Sequence, residues 1–129
     1  CEGKTAVNSI NKLISVDKVV AVIGEVCSGA TIPSAPIAEQ NQVVLISASS
    51  TSPEITNLGD YIFRDVPSDT LQGDFAANLI YGRGYTKLAI LYPQEDYGVG
   101  LSTVLEDRFK AIGGERLLQK RLLKEVLQI

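Results

Sequence analysis

Short apolar runs alternate with helix-length amphipathic stretches along the chain. The runs at residues 19–23 and 43–47 are rich in β-branched residues, and the segment 28–41 between them has the length of a helix. Two buried strands joined by a helix are typical of a βαβ unit, in which the strands are parallel. Apolar residues at helical spacing predict a further helix over 4–15, ahead of this unit. The pattern therefore predicts an α/β fold.

The second half of the chain repeats this alternation. We predict a short strand over 61–64, a helix over 68–81, a strand over 87–92 and a helix over 101–112. The segment 93–98, Pro-Gln-Glu-Asp-Tyr-Gly, is predicted to be a loop at the carboxyl end of the last strand. This order of elements favours an architecture of parallel-sheet βα units.

Hydroxyl side chains follow both strands of the βαβ unit at their carboxyl ends. Ser28 follows the first strand and is predicted to cap the helix, and the serine loop (residues 48–52, Ala-Ser-Ser-Thr-Ser) follows the second. Open parallel sheets bind ligands at the carboxyl ends of their strands, so these hydroxyls form the candidate site. Ordinary helix capping and loop polarity explain the same hydroxyls, and the residues alone favour that explanation.

Composition narrows the class of protein. The net charge of −3 and the pI near 4.9 disfavour nucleic-acid binding, and no apolar run approaches the ~20 residues of a membrane helix. Histidine is absent, which excludes Ser-His-Asp and Cys-His catalysis and His-ligated metals. No glycine-rich nucleotide motif follows any strand, and Glu95 and Asp96 are adjacent loop carboxylates of the kind that solvent usually surrounds. We therefore expect no enzyme, no cofactor and no metal site.

The two cysteines allow two interpretations. Cys1 and Cys27 do not form a CxxC motif, so nothing in their spacing favours a zinc site. They fit one structural disulfide in an oxidising compartment, and equally well two buried thiols in a cytosolic protein. The residues alone leave both alternatives open.

One long segment carries a family resemblance. Residues 22–56, VIGEVCSGATIPSAPIAEQNQVVLISASSTSPEIT, resemble the branched-chain amino-acid (Leu/Ile/Val) binding proteins of bacterial ABC importers, which have the type I periplasmic binding protein fold. The distinctive features are the Cys-Ser turn, a second cysteine upstream, the serine loop followed by Pro53, and Asp-Tyr-Gly-x-Gly at 96–100. The resemblance covers residues 1–115, which is about a third of such a protein.

The resemblance implies two α/β lobes that close over a ligand. Residues 1–66 would form part of the first lobe, and residues 67–114 the opening part of the second. It also implies a disulfide between Cys1 and Cys27, which resolves the ambiguity of the two cysteines in favour of a bridge.

The resemblance assigns five residues to the ligand site: Ser28, Ser49, Ser50, Thr51 and Tyr97. The hydroxyls of Ser28 and Thr51 would hold the α-carboxylate of an amino acid. The backbone carbonyl of Ser49 would accept a hydrogen bond from the ammonium group, and Tyr97 would close over the ligand from the second lobe. The acidic residue that completes the ammonium site in the family lies beyond Ile129.

The implied function is reversible capture of an amino acid by the substrate-binding component of an ABC importer. The ligand would be a branched-chain or similar amino acid and the partner an ABC permease, with no nucleic acid and no transmembrane segment. The full-length parent would be periplasmic or extracellular, either lipid-anchored or soluble. The alternatives are a ligand-sensing receptor domain of the same fold for amides, urea or aromatic acids, and a fragment with no function of its own.

The tail at 115–129 departs from the family pattern, which is a strand followed by a Gly-Ser/Ala-Thr-Asp loop. Its Leu-, Lys- and Arg-rich sequence predicts a helix. One choice of synonymous codons, read in the neighbouring frame, gives Lys-Ile-Val-Ala-Glu-Glu-Ala-Phe-Lys-Gly-Gly-Ser-Thr-Asp, which has the strand and the loop of the family pattern. We therefore expect a single-nucleotide frameshift near Glu115; a genuine amphipathic helix is the alternative.

A fragment with parts of both lobes missing would leave sheet edges and apolar faces uncovered, so self-association is expected.

Overall fold

Parallel strands alternate with helices in the computed structural model, which describes residues 1–122 and the side chains of residues 1–118. This arrangement confirms the α/β fold class built from parallel-sheet βα units. The chain divides into two units, Cys1–Pro67 and Ser68–Ile129, each with its own sheet. The assignment of these units to two partial lobes stays a prediction.

The first unit is built on a parallel sheet with the strand order β1-β2-β3. Its elements are, in chain order, α1 (Gly3–Ser15), β1 (Ala21–Ile23), α2 (Ser28–Gln40), β2 (Val44–Ser47), a 3-10 helix (Pro53–Asn57) and β3 (Ile62–Arg64). Each helix and strand predicted before residue 65 is present, and its ends differ from the prediction by no more than two residues. The predicted βαβ unit corresponds to β1, α2 and β2.

Helices α1 and α2 pack against each other and share one core with the sheet. This core contains Ile10 of α1, Ala35 and Ala38 of α2, and Leu45 in β2. The two alanine side chains are completely buried, and their small size lets α2 lie close to its neighbours. Because successive side chains of a strand point to opposite faces, the face that buries Leu45 also buries Ser47 at the end of β2.

The second unit contains two helices and a pair of parallel strands among the residues described. Its elements are α3 (Asp69–Gly82), β4 (Lys87–Pro93), α4 (Asp96–Ala111) and β5 (Glu115–Leu122), with β4 paired to β5. Ser68 caps α3 as predicted, since its hydroxyl accepts a hydrogen bond from the N–H of Thr70 over 3.2 Å. None of the helices in the described part of the chain is long and apolar enough to cross a membrane.

The helices α3 and α4 approach each other closely at Gly73. A Cβ atom on Gly73 would lie 2.7 Å from Val104 Cγ1 and 2.9 Å from the backbone nitrogen of Leu105, so only glycine fits there. The rings of Tyr81 and Phe109 meet edge to face between the same helices, with their centroids 6.1 Å apart. Helix packing therefore gives the second unit its core.

The predicted helix over 115–129 is wrong for residues 115–122, which form β5. This strand runs parallel to β4, with Leu117 inserted as a bulge in the register. The N–H of Glu115 starts the pairing by donating to the carbonyl of Thr86 over 2.8 Å. Helix propensity is a weak preference, and the hydrogen bonds offered by the edge of β4 outweigh it.

Residues 123–129 lie outside the described residues, so the part of the predicted helix that falls on them is not tested. The expected frameshift stays a prediction.

An ion-pair cluster joins α4 to β5. The carboxylate of Glu106 is buried, accepts a hydrogen bond from Lys110, and lies 2.7 Å from Arg116 Nη1 in β5. The hydrogen bond from Lys110, and after it that from Arg116, lowers the pKa of Glu106 below its ordinary value, although burial acts in the opposite direction. Because the pKa is lower in the folded than in the unfolded state, ionised Glu106 stabilises the fold above its ordinary pKa, and this contribution is lost as the pH falls through the lowered pKa.

Glu106→Gln is expected to lower the free energy of unfolding by about 1 kcal/mol at neutral pH, a modest loss because solvent screens the partly exposed Lys110 and Arg116. The difference from the unsubstituted chain should shrink as the pH falls through the lowered pKa, because the native carboxylate then loses its charge. Urea unfolding at neutral and acidic pH measures both effects, with the exposed Asp107→Asn on the same helix as the control. A difference that stays constant with pH would contradict the ionic origin.

A row of apolar side chains crosses the face of the first sheet opposite the core. The register pairs Ile23 with Ile46 and Ile46 with Phe63, and residues paired across strands point to the same face. Ile23 is 85% exposed and Phe63 is 49% exposed. An exposed apolar row of this kind lowers the free energy of the chain when a second copy covers it.

The chain is therefore expected to self-associate through the row of Ile23, Ile46 and Phe63. A double variant with Ile23→Lys and Phe63→Lys should shift sedimentation velocity profiles towards the monomer. Leu71→Lys, at an exposed leucine of α3, is the matched control and should leave the profile unchanged. A monomeric unsubstituted chain, or equal effects of the two substitutions, would contradict the expectation.

Candidate functional site

The carboxyl ends of β1 and β2 lie side by side at one edge of the first sheet. Their parallel register pairs Ile23 with Ile46, and the N–H of Gly24 donates to the carbonyl of Ile46 over 2.9 Å. The chain leaves β1 towards the N-terminus of α2 and leaves β2 into the serine loop. Both hydroxyl-bearing segments predicted from the sequence therefore meet at this edge.

The disulfide shapes the turn before α2. Cys1 and Cys27 are bonded, with their Cα atoms 5.5 Å apart, which confirms the pairing implied by the family resemblance. Cys27 is the N-cap residue of α2, and its carbonyl accepts hydrogen bonds from the N–H groups of Ala30 and Thr31. The predicted cap at Ser28 is wrong, because Cys27 occupies that position and Ser28 becomes the first helical residue. The Cys27 side chain makes no capping hydrogen bond, so the first turn of α2 presents a partial positive charge.

Ser28 links the start of α2 to the serine loop. Its side chain is 2% exposed, and its hydroxyl oxygen accepts a hydrogen bond from the N–H of Ser52 over 3.2 Å. A serine hydroxyl that accepts one hydrogen bond keeps its own proton to donate to a further acceptor. Ser28 is therefore both a structural contact of the loop and a donor fixed in position at the helix N-terminus.

Buried hydroxyls hold the first half of the serine loop. Ser47 and Ser50 both donate to the backbone carbonyl of Glu25, the latter over 3.3 Å. Thr31 Oγ1 lies 2.8 Å from Ser50 Oγ and 3.4 Å from the same carbonyl oxygen, so it belongs to the same cluster of hydroxyls. The hydroxyl of Ser47 in turn accepts from the N–H groups of Ser49 and Ser50. The side chain of Ser50 is thus committed to the loop's own structure.

Ser49 and Thr51 are more exposed to solvent than the hydroxyl residues of this network. Ser49 is exposed, and Thr51 is half-buried, unlike the completely buried Ser50 that lies between them. The carbonyl of Thr51 accepts a hydrogen bond from Arg64, which ends β3. Sequence reasoning missed Arg64, although its place at the carboxyl end of a third parallel strand was the signal that could have identified it.

Tyr97 belongs to the second unit, in the first turn of α4. The predicted loop over 93–98 is wrong from Asp96 onward, because α4 begins five residues before the predicted helix start. The helix can start this close to β4 because residue 98 is a glycine, whose added Cβ would lie 2.2 Å from the carbonyl oxygen of Pro93. The ring of Tyr97 is 39% exposed.

The first unit thus brings Ser28, Ser49, Ser50 and Thr51 to one edge of its sheet. The N-terminus of α2 adds N–H groups and a partial positive charge, and Arg64 adds a full positive charge beside the serine loop. Hydrogen-bond donors and positive potential at a helix N-terminus suit an anionic group such as a carboxylate. The arrangement can therefore bind and orient a small anion or zwitterion.

Several known proteins and one family model are similar to this chain over most of its length. The family model described as receptor family ligand binding region matches residues 1–124. A leucine-, isoleucine-, valine-, threonine- and alanine-binding protein of Pseudomonas aeruginosa is 37% identical over 115 residues, which are 88% of this chain and 31% of that protein. A leucine binding protein of Thermotoga maritima has a similar structure, with a TM-score of 0.84 and 33% identity over 95% of this chain and 35% of that one. An ABC transporter substrate-binding protein of Desulfitobacterium hafniense, solved in complex with Leu, gives a TM-score of 0.79 and 29% identity over 95% of this chain and 37% of that one.

The chain spans about a third of the length of these relatives, although they match nearly all of it. The predicted resemblance to Leu/Ile/Val-binding proteins is confirmed, as is the type I periplasmic binding protein fold. The ligand roles of the five predicted site residues stay predictions. The chain therefore belongs to the protein family described as receptor family ligand binding region.

Proposed function

We propose that this chain supplies part of the ligand cleft of an ABC importer's substrate-binding component, which captures a branched-chain or similar amino acid. The observation that carries the proposal is the link between Ser28 and the serine loop. The N–H of Ser52 donates to the Ser28 hydroxyl over 3.2 Å, so the start of α2 and the loop bearing Thr51 are fixed beside each other. In this proposal, two hydroxyl-bearing segments and one helix N-terminus would face the same bound group.

The α-carboxylate of the ligand would occupy the positive end of this site. Ser28 can donate its hydroxyl proton to a carboxylate oxygen while its oxygen still accepts from Ser52. The first turn of α2 contributes N–H groups and a dipole that favours negative charge. Thr51, half-buried at the end of the loop, supplies the second hydroxyl.

The ammonium group of the ligand needs acceptors instead of donors. The backbone carbonyl of the exposed Ser49 is the acceptor we assign to it. Tyr97, from the second unit, would cover the ligand with an aromatic ring. The acidic partner that the family resemblance implies lies outside this chain, so we expect only millimolar or weaker affinity for leucine from these residues alone.

Capture and release would be the whole activity, with no covalent step. The relatives described above are named as amino-acid-binding and ABC substrate-binding proteins, which supports a binding role over catalysis. A role in import requires an ABC permease as partner, and it places the full-length protein in the periplasm or at the cell surface. Closure of two lobes over the ligand would be the signal that the permease recognises.

Titration of the isotope-labelled chain with L-leucine, followed by NMR, tests this proposal. Leucine should shift the amide resonances of Ser28, Gly29 and Thr51 with a millimolar or weaker dissociation constant. Ser28→Ala should abolish these shifts, because it removes a hydrogen-bond donor to the carboxylate and the acceptor of the Ser52 N–H. Leucinamide, which lacks the carboxylate charge, should bind more weakly than leucine.

Ser15→Ala, at an exposed serine at the end of α1, is the matched control and should leave the titration unchanged. Micromolar affinity for leucine would show a more complete site than we propose. A larger response to 4-hydroxybenzoate or urea than to leucine would favour the alternative of a sensing domain. Leucine-dependent shifts that spare Ser28 and Thr51 would contradict the assigned site.

A further inference from the structure

Arg64 makes three hydrogen bonds to residues 51–56, which run from the end of the serine loop into the 3-10 helix. Its Nη1 atom donates to the carbonyl of Thr51 over 3.3 Å and to that of Ser52 over 2.8 Å. Its Nη2 atom donates to Thr56 Oγ1 over 2.5 Å. One guanidinium therefore joins the end of the serine loop to the 3-10 helix that comes after it.

The backbone that carries this guanidinium is held in place by the sheet. Arg64 is the last residue of β3, and the register pairs it with Ser47 at the end of β2. The N–H of the next residue, Asp65, donates to the carbonyl of Ser47 over 3.2 Å. The backbone of Arg64 thus lies beside the start of the serine loop, and its side chain reaches the loop's end.

The serine loop is held at both ends by different groups. Ser47 and Ser50 tie its first half to the Glu25 carbonyl, and Arg64 ties the carbonyls of Thr51 and Ser52 to β3. Thr51 lies where these two sets of contacts meet. Its hydroxyl can be presented in a constant direction only while its own carbonyl stays in place.

We propose that Arg64 is a positioning residue for amino-acid binding, acting through the carbonyl of Thr51 and the N–H of Ser52, which reaches Ser28. This inference rests on the proposed function. The planar fork is the essential feature, because one guanidinium donates to two successive carbonyls and a hydroxyl at once. A lysine ammonium in the same place keeps the charge and loses that fixed geometry.

Two substitutions separate geometry from charge. Arg64→Lys keeps the positive charge without the fork, and Arg64→Met removes both at similar length. Positioning predicts that both variants weaken leucine binding about tenfold in the NMR titration, the size expected when charge-assisted hydrogen bonds are lost. Arg83→Lys, at an exposed arginine after α3, is the matched control and should bind leucine as the unsubstituted chain does.

Hydrogen exchange of the Ser52 amide, measured without ligand, tests whether Arg64 holds the end of the serine loop. The amide of Ser52, which donates to Ser28, should exchange its hydrogen about tenfold faster in Arg64→Lys and Arg64→Met. If these substitutions unfold the first unit, Thr56→Val replaces them, since it removes only the Nη2 contact. It should weaken leucine binding a few-fold without changing the thermal unfolding midpoint.

The outcomes distinguish this inference from the proposed function. Leucine binding by Arg64→Lys equal to that of the unsubstituted chain would overturn positioning and assign Arg64 a purely electrostatic role. Equal binding by Arg64→Met, or by Thr56→Val where that variant is needed, would also overturn it. An unsubstituted chain that shows no response to leucine would overturn the proposed function. Unchanged hydrogen exchange of the Ser52 amide in the Arg64 variants would independently overturn the claim that Arg64 positions the loop.

Discussion

The candidate site depends on one backbone carbonyl, that of Glu25, in the turn between β1 and α2. The hydroxyls of Thr31, Ser47 and Ser50 all lie within hydrogen-bond distance of its oxygen, and all three side chains are almost completely buried. A buried hydroxyl left without a partner costs about 1–3 kcal/mol, so each of these residues favours the one arrangement in which the carbonyl is within reach. Because the three hydroxyls come from α2, β2 and the serine loop, this single acceptor fixes those elements relative to one another.

Because the serine loop is ordered during folding, ligand binding does not include the entropy cost of ordering it. The serine loop is held by the Glu25 carbonyl at its start and by Arg64 and Ser28 at its end. A loop ordered in advance does not have to lose conformational entropy when a small molecule arrives, and that loss is one of the main costs of binding. The weakness expected of this chain therefore comes from groups it does not supply, and not from disorder in the groups that it has.

Local sequence pattern was sufficient for the α-helices and strands of the first unit, but not for its 3-10 helix or its site. The strands and α2 follow from apolar runs and spacing, whereas the cap of α2 depends on a disulfide that the residues alone left undecided. The contacts of Arg64 and Ser28 join residues that are 12 and 24 positions apart, so no local periodicity reports them. The tail shows the same limit, because β5 forms where the edge of β4 offers hydrogen bonds to a segment whose composition favours a helix.

In both units a short turn leads from the carboxyl end of a strand into a helix whose first turn bears a candidate ligand residue. After β1 this residue is Ser28, which is buried and anchored by a hydrogen bond; after β4 it is Tyr97, whose ring is 39% exposed. A fixed hydroxyl recognises a polar group through geometry, while an exposed aromatic ring gains free energy by covering apolar surface. In the proposed function, Ser28 and the serine loop of the first unit would therefore recognise the carboxylate that all amino acids share, and not the side chains by which they differ.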